Sequence, residues 1–167
     1  MIQRTIARLG LACGLLATAL AANTAWAAAC PAHYVDGRPP EITNPKLDVS
    51  TTELCYTVFG VMHSGVTRTP LWSAEHLTAS NIKAAQDLSR ENTFHAERQL
   101  PASQRAELSD YARSGFDRGH MAPNGDMPDR QSQRDSFTLA NMVPQDARNN
   151  RYVWAGIEGA VRKMAKK

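Results

Sequence analysis

The sequence predicts a single α+β domain, and three observations carry that reading. Within residues 54–64, Cys55-Tyr56-Thr57-Val58-Phe59-Gly60-Val61-Met62 is mostly β-branched, aromatic or apolar, which is the composition of a strand. A second, weaker strand follows at residues 71–78, and the Ser64-Gly65 pair between the two suits a hairpin. Near the end the period changes: Trp154, Ile157, Val161 and Met164 recur at the spacing of one helix face, predicting a helix over residues 150–166. Strands early and a helix late, in a chain with room for one core, is the α+β pattern.

The first 27 residues read as an export signal and not as part of the fold. Arg4 and Arg8 make a basic start, residues 9–22 are an apolar run broken only by small residues, and Ala25-Trp26-Ala27 is a small-x-small cleavage site. The run is too short for a comfortable membrane span. The domain expected is therefore residues 28–167, in the periplasm or outside the cell. Of 19 Lys and Arg, Arg4 and Arg8 belong to the signal, so against 16 Asp and Glu the exported part is nearly neutral. Net charge alone does not point to nucleic acid, although basic residues outnumber acidic ones from Gly115 onward.

Cys13 leaves with the signal. Cys30 and Cys55 remain in an oxidising compartment, where a disulfide is the first expectation. The alternative is that Ala27-Ala28-Ala29-Cys30 is a lipoprotein site, with Cys30 acylated and Cys55 left single; no stable membrane association is expected otherwise.

The remaining elements follow in order. Residues 30–45 are rich in Pro and polar residues and suit an extended arm pinned to the body. Residues 80–88 fit a short helix or an irregular loop. Pro101 suits a first helical turn before Gln104, Arg105, Ala106, Glu107 and Leu108, predicting a helix over 101–109 that Ser114-Gly115 ends. A short strand is expected at 116–121, turn chemistry at Pro123-Asn124-Gly125-Asp126, a helical turn at 130–137 and another short strand at 138–140.

Phe116-Asp117-Arg118-Gly119-His120 and Asn150 carry the chemistry. Attack of water on phosphorus needs a group to take the proton, which a neutral histidine can do near its ordinary pKa. It also needs an offset for charge on the phosphoryl oxygens, which a hard divalent cation on a protein oxygen can supply. Taken alone, His120 could be a structural histidine and Asn150 a helix cap. His33, His63, His76 and His95 are dispersed and read as structural or surface residues.

The string Phe116-Asp117-Arg118-Gly119-His120-Met121-Ala122-Pro123 resembles the D-R-G-H signature of the DNA/RNA non-specific endonucleases, the ββα-metal nucleases. Asn141-Met142-Val143-Pro144-Gln145 resembles the family's N-x-x-P-Q pattern, and Asn150, Trp154, Glu158 and Arg162 resemble its N-x-x-x-W-x-x-x-E-x-x-x-R pattern at the same intervals. Arg68-Thr69-Pro70-Leu71-Trp72-Ser73-Ala74 is similar to family sequence as well.

The resemblance implies a central antiparallel sheet with flanking helices and a metal-dependent hydrolase of DNA and RNA leaving 5′-phosphate ends. His120 is then the general base, Asn150 the direct ligand of Mg²⁺ or another divalent ion such as Mn²⁺, and Glu158 the carboxylate that reaches the metal or its waters. Asn141 holds the catalytic loop, and Arg162 fixes Glu158 or contacts phosphate. Arg118 either grips phosphate or braces the motif through Asp117. A further arginine that acts in the transition state falls on Arg90. Family members continue past the metal-bearing helix, so the resemblance also implies a sheet short of strands and a Trp154, Ile157, Val161 stripe short of its cover. A catalytically silent nucleic-acid-binding remnant is the alternative reading.

Overall fold

The apolar run that reads as one strand folds back on itself in the computed structural model, which describes residues 29–167. The expected export signal lies outside the described residues. Strands β1 (Thr51–Cys55) and β2 (Phe59–Ser64) pair antiparallel, and the bend between them is closed by the Tyr56 N–H donating to the Phe59 carbonyl at 2.9 Å. Folding back sets Leu54 opposite Val61 and lets both join Phe59, Leu100, Met127 and Ala140 in the main core cluster, which one straight strand could not do.

Strand β3 (Thr69–Glu75) pairs antiparallel with β2 across the expected hairpin, completing a sheet of order β1-β2-β3. Arg68 takes a left-handed φ of 57° at the hairpin's end. Helix α1 (Ala79–Gln86) follows; Thr78 caps it by accepting the Asn81 N–H at 3.2 Å, and Ile82 and Ala85 face inward.

Residues 101–109 do not form the predicted helix. Ala106 is pulled into a second small cluster with Leu139 and Met142, and the Gln104 carbonyl is held by His63 Nε2 at 2.9 Å, so burial and a long-range hydrogen bond override local propensity. A single turn, α2 (Leu108–Tyr111), forms beyond it, with Glu107 and Asp110 capping reciprocally. Gly115 then turns the chain at φ 83°.

Strand β4 (Asp117–His120) pairs antiparallel with β5 (Met142–Gln145) in a separate two-stranded ribbon, so the described residues hold two small sheets and not one central sheet. Helix α3 (Arg130–Ser136), capped by Asp129 accepting the Ser132 N–H at 2.8 Å, connects them. The strand expected at 138–140 is a tight turn, Leu139–Asn141, because all three residues are buried and a strand would send alternate ones outward. Pairing moves to β5, where Pro144 is tolerated because the ribbon has no third strand to receive its missing N–H.

The last element begins as a widened π-type turn, Asn149–Trp154, and continues as α4 (Ala155–Ala165). Beyond Trp154 the predicted apolar stripe is exposed, as a stripe short of its cover would be. Ile157 is 49% exposed, Val161 43% and Met164 72%, whereas Trp154, Glu158 and Arg162 turn toward the body.

At the other end Cys30 and Cys55 form a disulfide with Cα atoms 5.4 Å apart, pinning the arm beside β1. The bond occupies the sulfur that acylation of Cys30 would need. Buried Tyr34 reinforces the arm by donating to Glu53 Oε1 at 2.7 Å and meeting Trp72 edge-on. Among the described residues no helix is long and apolar enough to cross a membrane.

Candidate active site

Strand β4 presents the central motif. Period-two alternation sends Arg118 and His120 to one side and Asp117 and Gly119 to the other. A Cβ on Gly119 would stand 2.9 Å from the Gln145 Cβ of β5, so the ribbon closes only around a residue without one.

His120 is 8% exposed, with its ring edge-on to Phe137 at 5.0 Å and tilted against Phe94 at 5.9 Å. Burial, assisted by the nearby Arg90 guanidinium, pushes its pKa down to about 3, so the imidazole is neutral at physiological pH. Among the described residues its Nε2 has no hydrogen-bond partner. The loop that follows is fixed by Asn141, whose Oδ1 accepts the Ala122 N–H and whose Nδ2 donates to the carbonyls of Ala122 and Ser136, each at 2.9 Å. Trp154 Nε1 donates to the His120 carbonyl at 3.0 Å, tying the last helix to β4.

Asn150 lies in the π-type turn, with its N–H donating to the Asp146 carbonyl at 2.8 Å and Nδ2 to Asp117 Oδ2 at 3.0 Å. Spending the amide nitrogen on Asp117 leaves Oδ1 available. The second partner of Asp117 is Arg151, which donates from Nε and Nη2 at 2.8 Å each. Those hydrogen bonds, from Arg151 first and Asn150 next, hold the Asp117 carboxyl below the usual carboxylate range. Of the two roles open to Arg118, bracing Asp117 therefore falls to Arg151; Arg118 instead lies over the Phe94 ring at 4.0 Å.

Glu158 is half-buried, and desolvation raises its pKa. Arg162 stands 3.8 Å from its Oε2 but donates more closely to the buried Asp126, at 2.9 Å. Behind Asp126 lies Glu75 of β3, whose pKa is pushed up to about 8 by burial first and by Asp126 next, so that it carries the proton of the pair. Arg90, with its guanidinium 5.0 Å over the Phe137 ring, completes the arrangement.

Arg90, Arg118, His120, Asn150 and Glu158 line one cavity of about 190 Å³. Asp117, Asn141 and Arg162 stand behind it as supports, while Cys30 and Cys55 lie away from it in the arm. Sequence reasoning missed four contributors: Phe94, Asp126, Arg151 and Glu75. Arg151 had a signal, since it adjoins Asn150; a buried aspartate in a Pro-Asn-Gly-Asp turn and a glutamate at a strand end look like surface residues.

Residues 38–167 match the family model for DNA/RNA non-specific endonucleases. The chain belongs to that family. Over 103 residues it is 43% identical to nuclease C1 of Cunninghamella echinulata var. echinulata, covering 60% of this chain and 41% of that protein. It is 41% identical to the mitochondrial nuclease of Saccharomyces cerevisiae, over 60% of this chain and 31% of that one. It is 37% identical to mitochondrial endonuclease G of Caenorhabditis elegans, over 67% and 37%. Among solved structures it is similar to a chain of the EndoG/EndoGI complex, with TM-score 0.59, 29% identity, 68% of this chain covered and 48% of that one. The chain thus spans less than half the length of these family members.

The donor set at the site suits a hard cation. Asn150 offers an amide oxygen that the Asp117 contact leaves free, Glu158 offers a carboxylate whose charge is destabilised by burial, and no sulfur or second imidazole lines the cavity.

Proposed function

We propose that this chain is an exported, metal-dependent endonuclease that hydrolyses phosphodiester bonds in both DNA and RNA and leaves 5′-phosphate ends. The observation that carries the reading is the convergence on one cavity of a neutral histidine with an unpartnered nitrogen, an amide oxygen, a carboxylate and two arginines. Family membership and the nuclease names of the relatives support it.

His120 accepts the proton of the attacking water; its ring is held still by Phe94, Phe137 and the hydrogen bonds around the loop. Arg118 and Arg90 address the non-bridging phosphate oxygens, since among the described residues neither has a salt bridge with an Asp or Glu. Asn150 and Glu158 would hold a divalent ion such as Mg²⁺ or Mn²⁺, which offsets charge on phosphate and assists the leaving oxygen when bound. Asp117 orients the Asn150 amide, and Asp126 with Arg162 positions Glu158. None of these groups is committed to a base edge, so the cleavage should show little sequence preference. The disulfide supports the export reading, because such bonds persist in oxidising compartments.

Plasmid nicking by the purified chain with Mg²⁺ tests the proposal. Cleavage should disappear in chelator and fall by roughly 10²- to 10⁴-fold in His120→Ala. Tight, salt-sensitive binding without nicking would instead favour the silent remnant, a reading motivated by an α4 that carries Glu158 yet has no fully buried residue.

A further inference from the structure

Beside the catalytic cavity lies a second, larger one of about 360 Å³, to which the reaction chemistry assigns nothing. The two share Arg90, Arg118 and Asn150 as a common wall, so a nucleotide whose phosphate lies against His120 must place a neighbouring sugar and base near the second opening. The far wall is not built for phosphate. Apart from Asp117, whose carboxylate is taken by Asn150 and Arg151, the rest of the lining is Phe116, Leu108, Tyr111, Ala112 and Phe94, and two of these apolar side chains stand open to solvent, Phe116 at 53% and Leu108 at 45%.

Phe116 and Leu108 thus put exposed apolar surface on the lining of this one opening. Arg118 crosses between the two cavities lying on the Phe94 ring, an arrangement that keeps a flat cationic surface in place beside the aromatic wall. An aromatic wall, a guanidinium plane and a phosphate-binding neighbour together match the chemistry of a flanking nucleobase, whose faces stack on rings and guanidinium groups whatever its identity.

We propose that this cavity is a nucleobase subsite, in which the base of one nucleotide flanking the scissile phosphate stacks against Phe116 and the Arg118 guanidinium; the inference rests on the phosphodiesterase reading above. It adds substrate grip without sequence choice, because every base offers a π-face. It also favours single-stranded or unstacked nucleic acid, since a base inside a duplex is already stacked on its neighbours.

The test uses a single-stranded oligonucleotide with one cleavable linkage, all others being methylphosphonates, and versions in which the nucleotide on either side of that linkage is an abasic tetrahydrofuran residue. The full chain with Mg²⁺ should cleave one of the two abasic versions about tenfold more slowly than the intact strand, within the range expected for one base–aromatic stack. Phe116→Ala should lower cleavage of the intact strand by a similar factor, while adding less than twofold to the abasic defect; Phe116→Tyr should restore it. Equal cleavage of all three strands, or a Phe116→Ala loss that is the same on intact and abasic strands, overturns the subsite.

A second readout keeps the subsite separable from catalysis. In His120→Ala, binding of an oligonucleotide carrying 2-aminopurine at the flanking position should alter its fluorescence, and Phe116→Ala should abolish that change. If the chain proves unable to cleave, the nuclease reading fails while this measurement still decides the subsite; binding with unaltered fluorescence overturns it.

Discussion

Asp117 does not touch the reacting atoms, yet two hydrogen bonds make it the residue on which the Asn150 oxygen depends. Removing its carboxylate in Asp117→Ala leaves the Asn150 amide free to rotate and Arg151 without a partner. Half-maximal cleavage should then need roughly 10- to 100-fold more divalent ion, the usual size of such outer contacts, with the folded state retained; a metal titration of initial rates checks this. Glu75 makes a different prediction. Its pKa of about 8 lies above the ordinary 4.5, so the folded state holds a proton that the unfolded chain releases across that window. Its contribution to stability is complete below pH 4.5 and lost as pH rises through about 8. Urea midpoints should therefore fall between pH 6 and pH 9, and Glu75→Gln should flatten that fall; an unchanged slope would remove Glu75 from the account. His120 acts in the opposite sense, since a pKa lowered to about 3 makes stability fall as pH drops from 6.5.

The π-type turn at Asn149–Trp154 shows how an element can set a site. It places an extra residue between Asn150 and the regular helix, and so fixes the angle between the amide oxygen and Glu158. Inserting one alanine after Ala155, in the regular helix, should leave that turn in place but rotate Glu158 and Arg162 by about 100° relative to Asn150. Circular dichroism should change little while metal-dependent cleavage is lost; retained activity would show that the angle is incidental. The resemblance singled out Asn150, Trp154, Glu158 and Arg162, whereas helical spacing alone put only Glu158 and Arg162 together on one flank, because side chains four apart share a face. The same spacing put Trp154, Ile157, Val161 and Met164 on one face, of which Trp154 turns toward the body and the other three are exposed: periodicity shows which residues are alike, not which side of a helix meets a partner. The helix at 101–109 failed for a related reason, since a core position for Ala106 and a hydrogen bond from His63 to Gln104 lie far apart in sequence from what they meet. The ribbon was legible on its motif strand and not on the other, where burial of three consecutive residues moved the pairing to β5.

At the scale of the molecule, the disulfide joins an arm with little secondary structure to the first strand of the three-stranded sheet. Closing the 25-residue separation should stabilise the fold by about 3 kcal/mol on the chain-entropy model, so Cys55→Ala should lower Tm by several degrees, and reductant should do the same to the unmodified chain. Differential scanning in both redox conditions tests this, and no shift would mean that contacts such as Tyr34 with Glu53 already hold the arm. The body and the last helix are joined in another way. Helix α4 has no fully buried residue and is fastened by polar contacts: Trp154 to the His120 carbonyl, Arg162 to Asp126 and Lys166 to Gln86. Elements held like this open locally at small cost. Because Glu158 rides on that helix, and Asn150 on the turn leading into it, docking the helix and assembling the donor set are one equilibrium. Any ion that prefers the docked form would draw the population toward it by mass action, so under the proposed function a metal would be at once the reagent of the site and the fastener of the element that carries it.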